Sequence, residues 1–134
     1  MLLKLLKMND VPPSGKQLGT FVNVESVSGK DEDGHEFNHL VVRVELDATD
    51  KVGKKYQLEK RFNLDGRGLA AFRNAYKSWS GRKLKDQELA AFDADALMKG
   101  QRVTVVIKPK KEGKDYIAVI DAFLPVAAAA QATA

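Results

Sequence analysis

A mainly β fold with a helical insertion is predicted by the order of local patterns in this 134-residue chain. Three strand-like runs come first, a helical block follows, and two more strand-like runs complete the pattern. With no cysteine to staple it, the fold must rest on its hydrophobic core, and 44% hydrophobic residues suffice for one domain. The β-β-β-α-β-β order matches a five-stranded Greek-key barrel of the OB type, with the helix between strands 3 and 4 plugging one end. One domain is expected over residues 1–124, its core in about 17–124, with 125–134 as a flexible alanine-rich tail.

The first strand is expected over Gln17 to Val27, with Leu18, Val22 and Val24 on one face and Phe21 and Val27 on the other. His35 to Leu46 alternates most clearly. Leu40, Val42, Val44 and Leu46 take the core side, and Val41, Arg43 and Glu45 the wet side. Between these runs, Asp33-Gly34 suits a hairpin turn. The third strand, Lys55 to Leu64, sets Tyr56, Leu58, Phe62 and Leu64 against Lys55, Gln57, Glu59, Arg61 and Asn63. Lys60 breaks that alternation and is expected to mark a bulge.

Asp65 is the expected N-cap of the helix, whose buried stripe is Leu69, Phe72, Tyr76 and Trp79 and whose stop is Gly81. Trp79, near the helix end, fits the stripe least well. A shorter helical piece is expected around Asp86 to Phe92, then a capped turn over 93–100, with Leu89, Phe92 and Leu97 against the sheet. Strand four is read as Arg102 to Lys108, with Val103, Val105 and Ile107 inward and Pro109 as its end; strand five is Tyr116 to Phe123.

Several function classes are disfavoured. Two histidines and no cysteine are too few to anchor a metal, and no cofactor is expected. Asp31, Glu32 and Asp33 lack the spacing of a calcium loop and read as an acidic hairpin tip. No phosphate-binding loop, nucleophile elbow or zinc-protease motif is present, and Asp65-Gly-Arg-Gly68 is too short for a dinucleotide fingerprint, so the chain is read as not an enzyme. Lys4 and Lys7 interrupt Leu2, Leu3, Leu5 and Leu6, and neither a membrane span nor a secretory signal is recognised. A cytoplasmic location without a membrane partner is the expectation.

The net charge of +4 conceals an asymmetry. Residues 17–50 hold 2 basic and 8 acidic groups, whereas 51–83 hold 10 basic and 2 acidic, a block able to attract polyanions. OB barrels bind single strands across the outer face of strands two and three, with cations on phosphates and rings on bases. Strand parity places Phe37, His39, Val41 and Arg43 there beside Lys55, Gln57 and Arg61, with Lys108, Lys110 and Lys111 extending the cations along the neighbouring hairpin. The expected partner is single-stranded nucleic acid, DNA before RNA. The alternative is a protein-protein or homo-oligomer module with an exposed apolar patch of Phe21, Val27 and Phe37.

The run from Phe21 to Leu64, the helix segment Leu69-Ala-Ala-Phe-Arg-Asn-Ala-Tyr, and Asp95-Ala-Leu-Met-Lys-Gly-Gln-Arg-Val-Thr-Val-Val-Ile followed by Gly113-Lys-Asp-Tyr-Ile-Ala-Val-Ile-Asp-Ala-Phe carry a resemblance. Over residues 17–124 the chain resembles small phage and prophage proteins of single-stranded-DNA-binding type, often known only as a domain of unknown function. The resemblance implies an OB fold and a role in DNA replication or recombination, and assigns no individual binding residue. Ala127 to Ala134 has no counterpart to the acidic, partner-recruiting tip of bacterial single-strand-binding proteins.

Overall fold

The computed structural model describes residues 12–84 and 94–126. Strands β1 (Gly15–Lys30), β2 (Glu36–Thr49) and β3 (Lys55–Asn63) precede helix α1 (Gly66–Ser80); helix α2 (Ala94–Met98), β4 (Arg102–Glu112) and β5 (Asp115–Leu124) follow. All five strands form one antiparallel sheet in the order β3-β2-β1-β4-β5. The long β1 is shared: residues 15–20 pair with β4, and residues 19–30 pair with β2. The helical piece expected around Asp86 to Phe92 lies outside the described residues, as do Leu89, Phe92 and the tail beyond Val126.

The first two hairpin turns are built alike. Asp31 Oδ1 accepts from the N–H groups of Asp33 and His35, and Asp50 Oδ1 accepts from those of Val52 and Lys54, each at 2.9–3.0 Å. A positive-φ glycine, Gly34 or Gly53, completes each turn. The acidic tip is thus a turn device: an aspartate supplies the acceptor that the reversing backbone needs.

The core side of β2 is as its alternation requires, with Leu40, Val42, Val44 and Leu46 buried. Val41, expected on the wet face, is also fully buried. It stands between Glu25 and Arg61 in the register, where long side chains lay their methylene stems over apolar surface. In β1 the expected faces are wrong. The register slips between Phe21 and Asn23, so Val22 is an extra residue on the strand, exposed, while Phe21 and Val24 both turn into the core. A bulge inverts the alternation beyond it. The exposed apolar patch that included Phe21 is therefore not formed.

Lys60 marks no bulge, because the β2–β3 register runs unbroken past it and slips only between Glu45 and Thr49. Its side chain shares the core-facing parity of Leu58 and Phe62, and Nζ donates to Ile120 O at 3.0 Å. That bond joins the two edge strands, β3 and β5, where they approach each other. No β3–β5 ladder is present among the described residues, and β3 and β5 are the two edges of the sheet.

Helix α1 packs on β3 and β5. Asp65 Oδ1 accepts from Gly68 N–H at 2.7 Å, and Gly81 (φ 79°) ends the helix. Phe72 and Tyr76 of the stripe are buried and Trp79 packs half-buried against the core, whereas Leu69 at its start is only half-buried. Phe72 meets Phe62 edge-on, and Trp79 meets Phe21 edge-on with ring centroids 4.8 Å apart. Trp79 Nε1 donates to Arg102 O at 2.9 Å, which satisfies its polar atom and fits it to the core.

Helix α2 buries Ala94 and Met98 and completes β1 where β4 leaves it. Asp95 Oδ1 accepts from Val24 N–H at 2.7 Å, replacing a lost ladder partner. Pro109 does not end β4, which continues to Glu112. Beyond Ile107 the strand pairs, among the described residues, with β5 and not with β1, so the missing N–H of proline interrupts no described ladder on that side.

Candidate nucleic-acid interface

The outer face of β1, β2 and β3 is ordered in cross-strand rows: Asn23, Arg43 and Glu59; Glu25, Val41 and Arg61; Val27, His39 and Asn63. The bulge at Val22 brings Asn23 and Glu25 onto this face opposite β2. Phe37 and His39, two residues apart on β2, stack with ring centroids 4.9 Å apart and planes 27° apart. Arg61 Nη1 lies 3.4 Å from His39 Nδ1. Phe37, His39 and Arg61 therefore form one continuous row of two rings and a guanidinium.

Phe37 is held by what it faces. Gly29 is its register partner, and a Cβ built on Gly29 would lie 2.9 Å from the Phe37 ring. The glycine lets the ring lie across the neighbouring strand, leaving it half-buried at the acidic end of the sheet.

The cations on this face are paired. Arg43 forms an ion pair with Glu25 and approaches Asn23 Oδ1 at 3.3 Å; Arg61 Nε lies 2.9 Å from Glu59, and Lys55 Nζ 3.9 Å from Glu45. Three positive groups thus meet three glutamates. Such exposed pairs contribute about 0–1 kcal/mol each and open readily to a competing anion.

The structure does not gather the remaining expected residues on that row. Lys55 begins β3, at the opposite end of the sheet from Phe37. Lys108, Lys110 and Lys111 belong to β4, separated from β2 by β1. Lys108 pairs with Asp121 at 3.2 Å, while Lys110 and Lys111 have no ion-pair partner among the described residues. Within that hairpin Lys108 and Lys110 share one face, with Val119 and Ile117 as register partners, and Lys111 faces the other way beside Tyr116.

Sequence reasoning passed over Val52, Tyr116 and Ile117, which are exposed near hairpin tips. Their signal was present as apolar residues set among lysines. It also passed over Arg102, whose guanidinium bonds to Asp47 across β1 and to Thr20 Oγ1 at 2.8 Å. The hydrogen bond from Arg102 to Asp47 holds the Asp47 carboxyl below its ordinary range and raises the Arg102 guanidinium.

No helix among the described residues is long and apolar enough to cross a membrane. No protein-family model matches the sequence, and no curated protein shows significant similarity to it.

Proposed function

We propose that this chain is a non-catalytic binding protein for single-stranded nucleic acid, DNA in the first instance, using the outer face of β2 and β3. The proposal includes closure of the sheet into an OB-type barrel, membership among small phage and prophage proteins of that type, and a cytoplasmic role in replication or recombination. The strand order, the helix between β3 and β4, and the Lys60 bond between β3 and β5 support closure.

The observation that carries the reading is the row of Phe37, His39 and Arg61. Rings on an open sheet face stack on bases of any identity, each stack being worth about 1–3 kcal/mol, and a guanidinium beside them meets a phosphate. Because the cations here already hold glutamates, stacking supplies most of the affinity of this face.

Fluorescence anisotropy with labelled single-stranded and duplex oligonucleotides at two salt concentrations tests the proposal. The single strand should bind more tightly, and more weakly at the higher salt. Phe37→Ala should weaken binding by about 1–3 kcal/mol with little change in salt slope, because stacking releases no counterions. Absence of measurable binding at low salt would overturn the reading.

A further inference from the structure

The antiparallel register gives the sheet two ends of opposite character. Gly19 pairs with Leu46 and Gly15 with Ile107, so the β2–β3 and β4–β5 tips both project from the end where β1 begins. Lys51 and Lys54 lie on the first tip, Lys16 on β1 between the tips, and Lys110, Lys111 and Lys114 on the second. All six are exposed, without an ion-pair partner among the described residues. Against these six lysines the same segments carry three acids, Asp50, Glu112 and Asp115, and the Asp50 carboxylate already accepts two backbone N–H groups. The opposite end carries Asp31, Glu32 and Asp33 on the β1–β2 tip.

Three of the five large apolar side chains exposed among the described residues lie at the lysine end. Val52 is 85% exposed, and Tyr116 (56%) and Ile117 (39%) sit beside Lys111 and Lys110 as register partners. A solvated charged surface gains nothing from such residues, whereas a surface that meets bases and phosphates together uses both.

We propose that this rim, rather than the outer face alone, is the phosphate-tracking surface for single-stranded nucleic acid, with Tyr116 as its stacking platform; this rests on the nucleic-acid reading above. From β3 to β5 the rim crosses four interstrand spacings, about 19 Å, and the β4–β5 hairpin extends five residues past the start of β1. That reach suits a strand of about four nucleotides or more. These lysines, without an ion-pair partner among the described residues, supply the salt-dependent part of binding, which the glutamate-matched outer face does not.

The test compares oligothymidylate binding by the full chain with that of a Lys51→Gln, Lys54→Gln, Lys110→Gln, Lys111→Gln variant and of Tyr116→Ala, across a salt series. The four-lysine variant should lose at least tenfold affinity at low salt, with its salt slope reduced by about 3, at roughly 0.7 per phosphate contact. Tyr116→Ala should lose about tenfold with the slope kept. The two hairpins are also substituted separately, so a folding defect in one leaves the other readable. Wild-type binding that survives the lysine substitutions but falls with Phe37→Ala would overturn the rim and retain the outer face. No wild-type binding at all would overturn the nucleic-acid reading itself. Lysine-dependent binding to phosphatidylserine vesicles, with oligothymidylate affinity unaffected, would assign the rim to a membrane surface and overturn the proposal.

Discussion

Gly68→Ala tests how the helix is seated against the sheet. An alanine Cβ at this position would lie 1.8 Å from Asn63 O, 2.6 Å from Asn63 C and 2.7 Å from Asn63 N. These are backbone atoms at the end of β3, and no side-chain rotation relieves them. Ordinary contact begins near 3.4 Å, so α1 and β3 would have to separate by about 1.6 Å. The separation strains the Asp65 cap, worth about 1 kcal/mol, and adds an overpacking cost of about 1–3 kcal/mol. Helix propensity opposes this, since alanine is favoured over glycine by up to about 1 kcal/mol. The balance is a net loss of about 1–3 kcal/mol, or roughly 4–15 °C in Tm for a domain of this size. Gly66→Ala is the matched control, because its Cβ would meet nothing within 4 Å. Thermal denaturation followed by circular dichroism should show Gly68→Ala well below wild type and Gly66→Ala at or above it. Equal shifts for the two variants would refute the close approach of Gly68 to Asn63.

Val42→Asp should unfold the domain, because Val42 is fully buried and an unpaired carboxylate there costs several kcal/mol; a native-like denaturation curve would mean that the β2 register is wrong. A chain ending at Val126 should keep its melting temperature, since residues 127–134 offer little apolar bulk to bury, and a large drop would show that they dock. For Asp47, the folded carboxyl is held below its ordinary value of 3.8 by the hydrogen bond from Arg102. Its stabilisation is therefore present above that value and lost as pH falls through the folded one. Both side chains are nearly half exposed, so the gap in stability between wild type and Asp47→Asn should stay below about 1 kcal/mol near neutral pH and close as the pH falls through the lowered value of the folded carboxyl. A gap that persists undiminished in acid would trace the effect to something other than the ion pair.

The sequence by itself determined the element order, the core face of β2, the helix with its Asp65 cap and Gly81 stop, and the acidic hairpin tip. Each is written in local chemistry: a period of two or three to four residues, an oxygen acceptor before a helix, a glycine where φ is positive. Tertiary structure alone decided what depends on a neighbour distant in the chain. Whether Phe21 faces in or out turned on one extra residue at Val22, and a two-residue period carries no mark of where a bulge restores or inverts it. Lys60 read as a break because its acceptor, the Ile120 carbonyl, lies sixty residues away. Pro109 read as a strand end because nothing local tells that β1 has already left that side of β4. The basic residues followed the same rule. Composition located the positive block, and Arg61 meets Glu59 two residues away on its own strand, but only the pairing of strands matched Arg43 with Glu25 and Lys55 with Glu45 and set together, at one end of the sheet, lysines without an ion-pair partner among the described residues. Charge is a property of residues; a field belongs to their arrangement, and that is made by contacts between strands far apart in sequence.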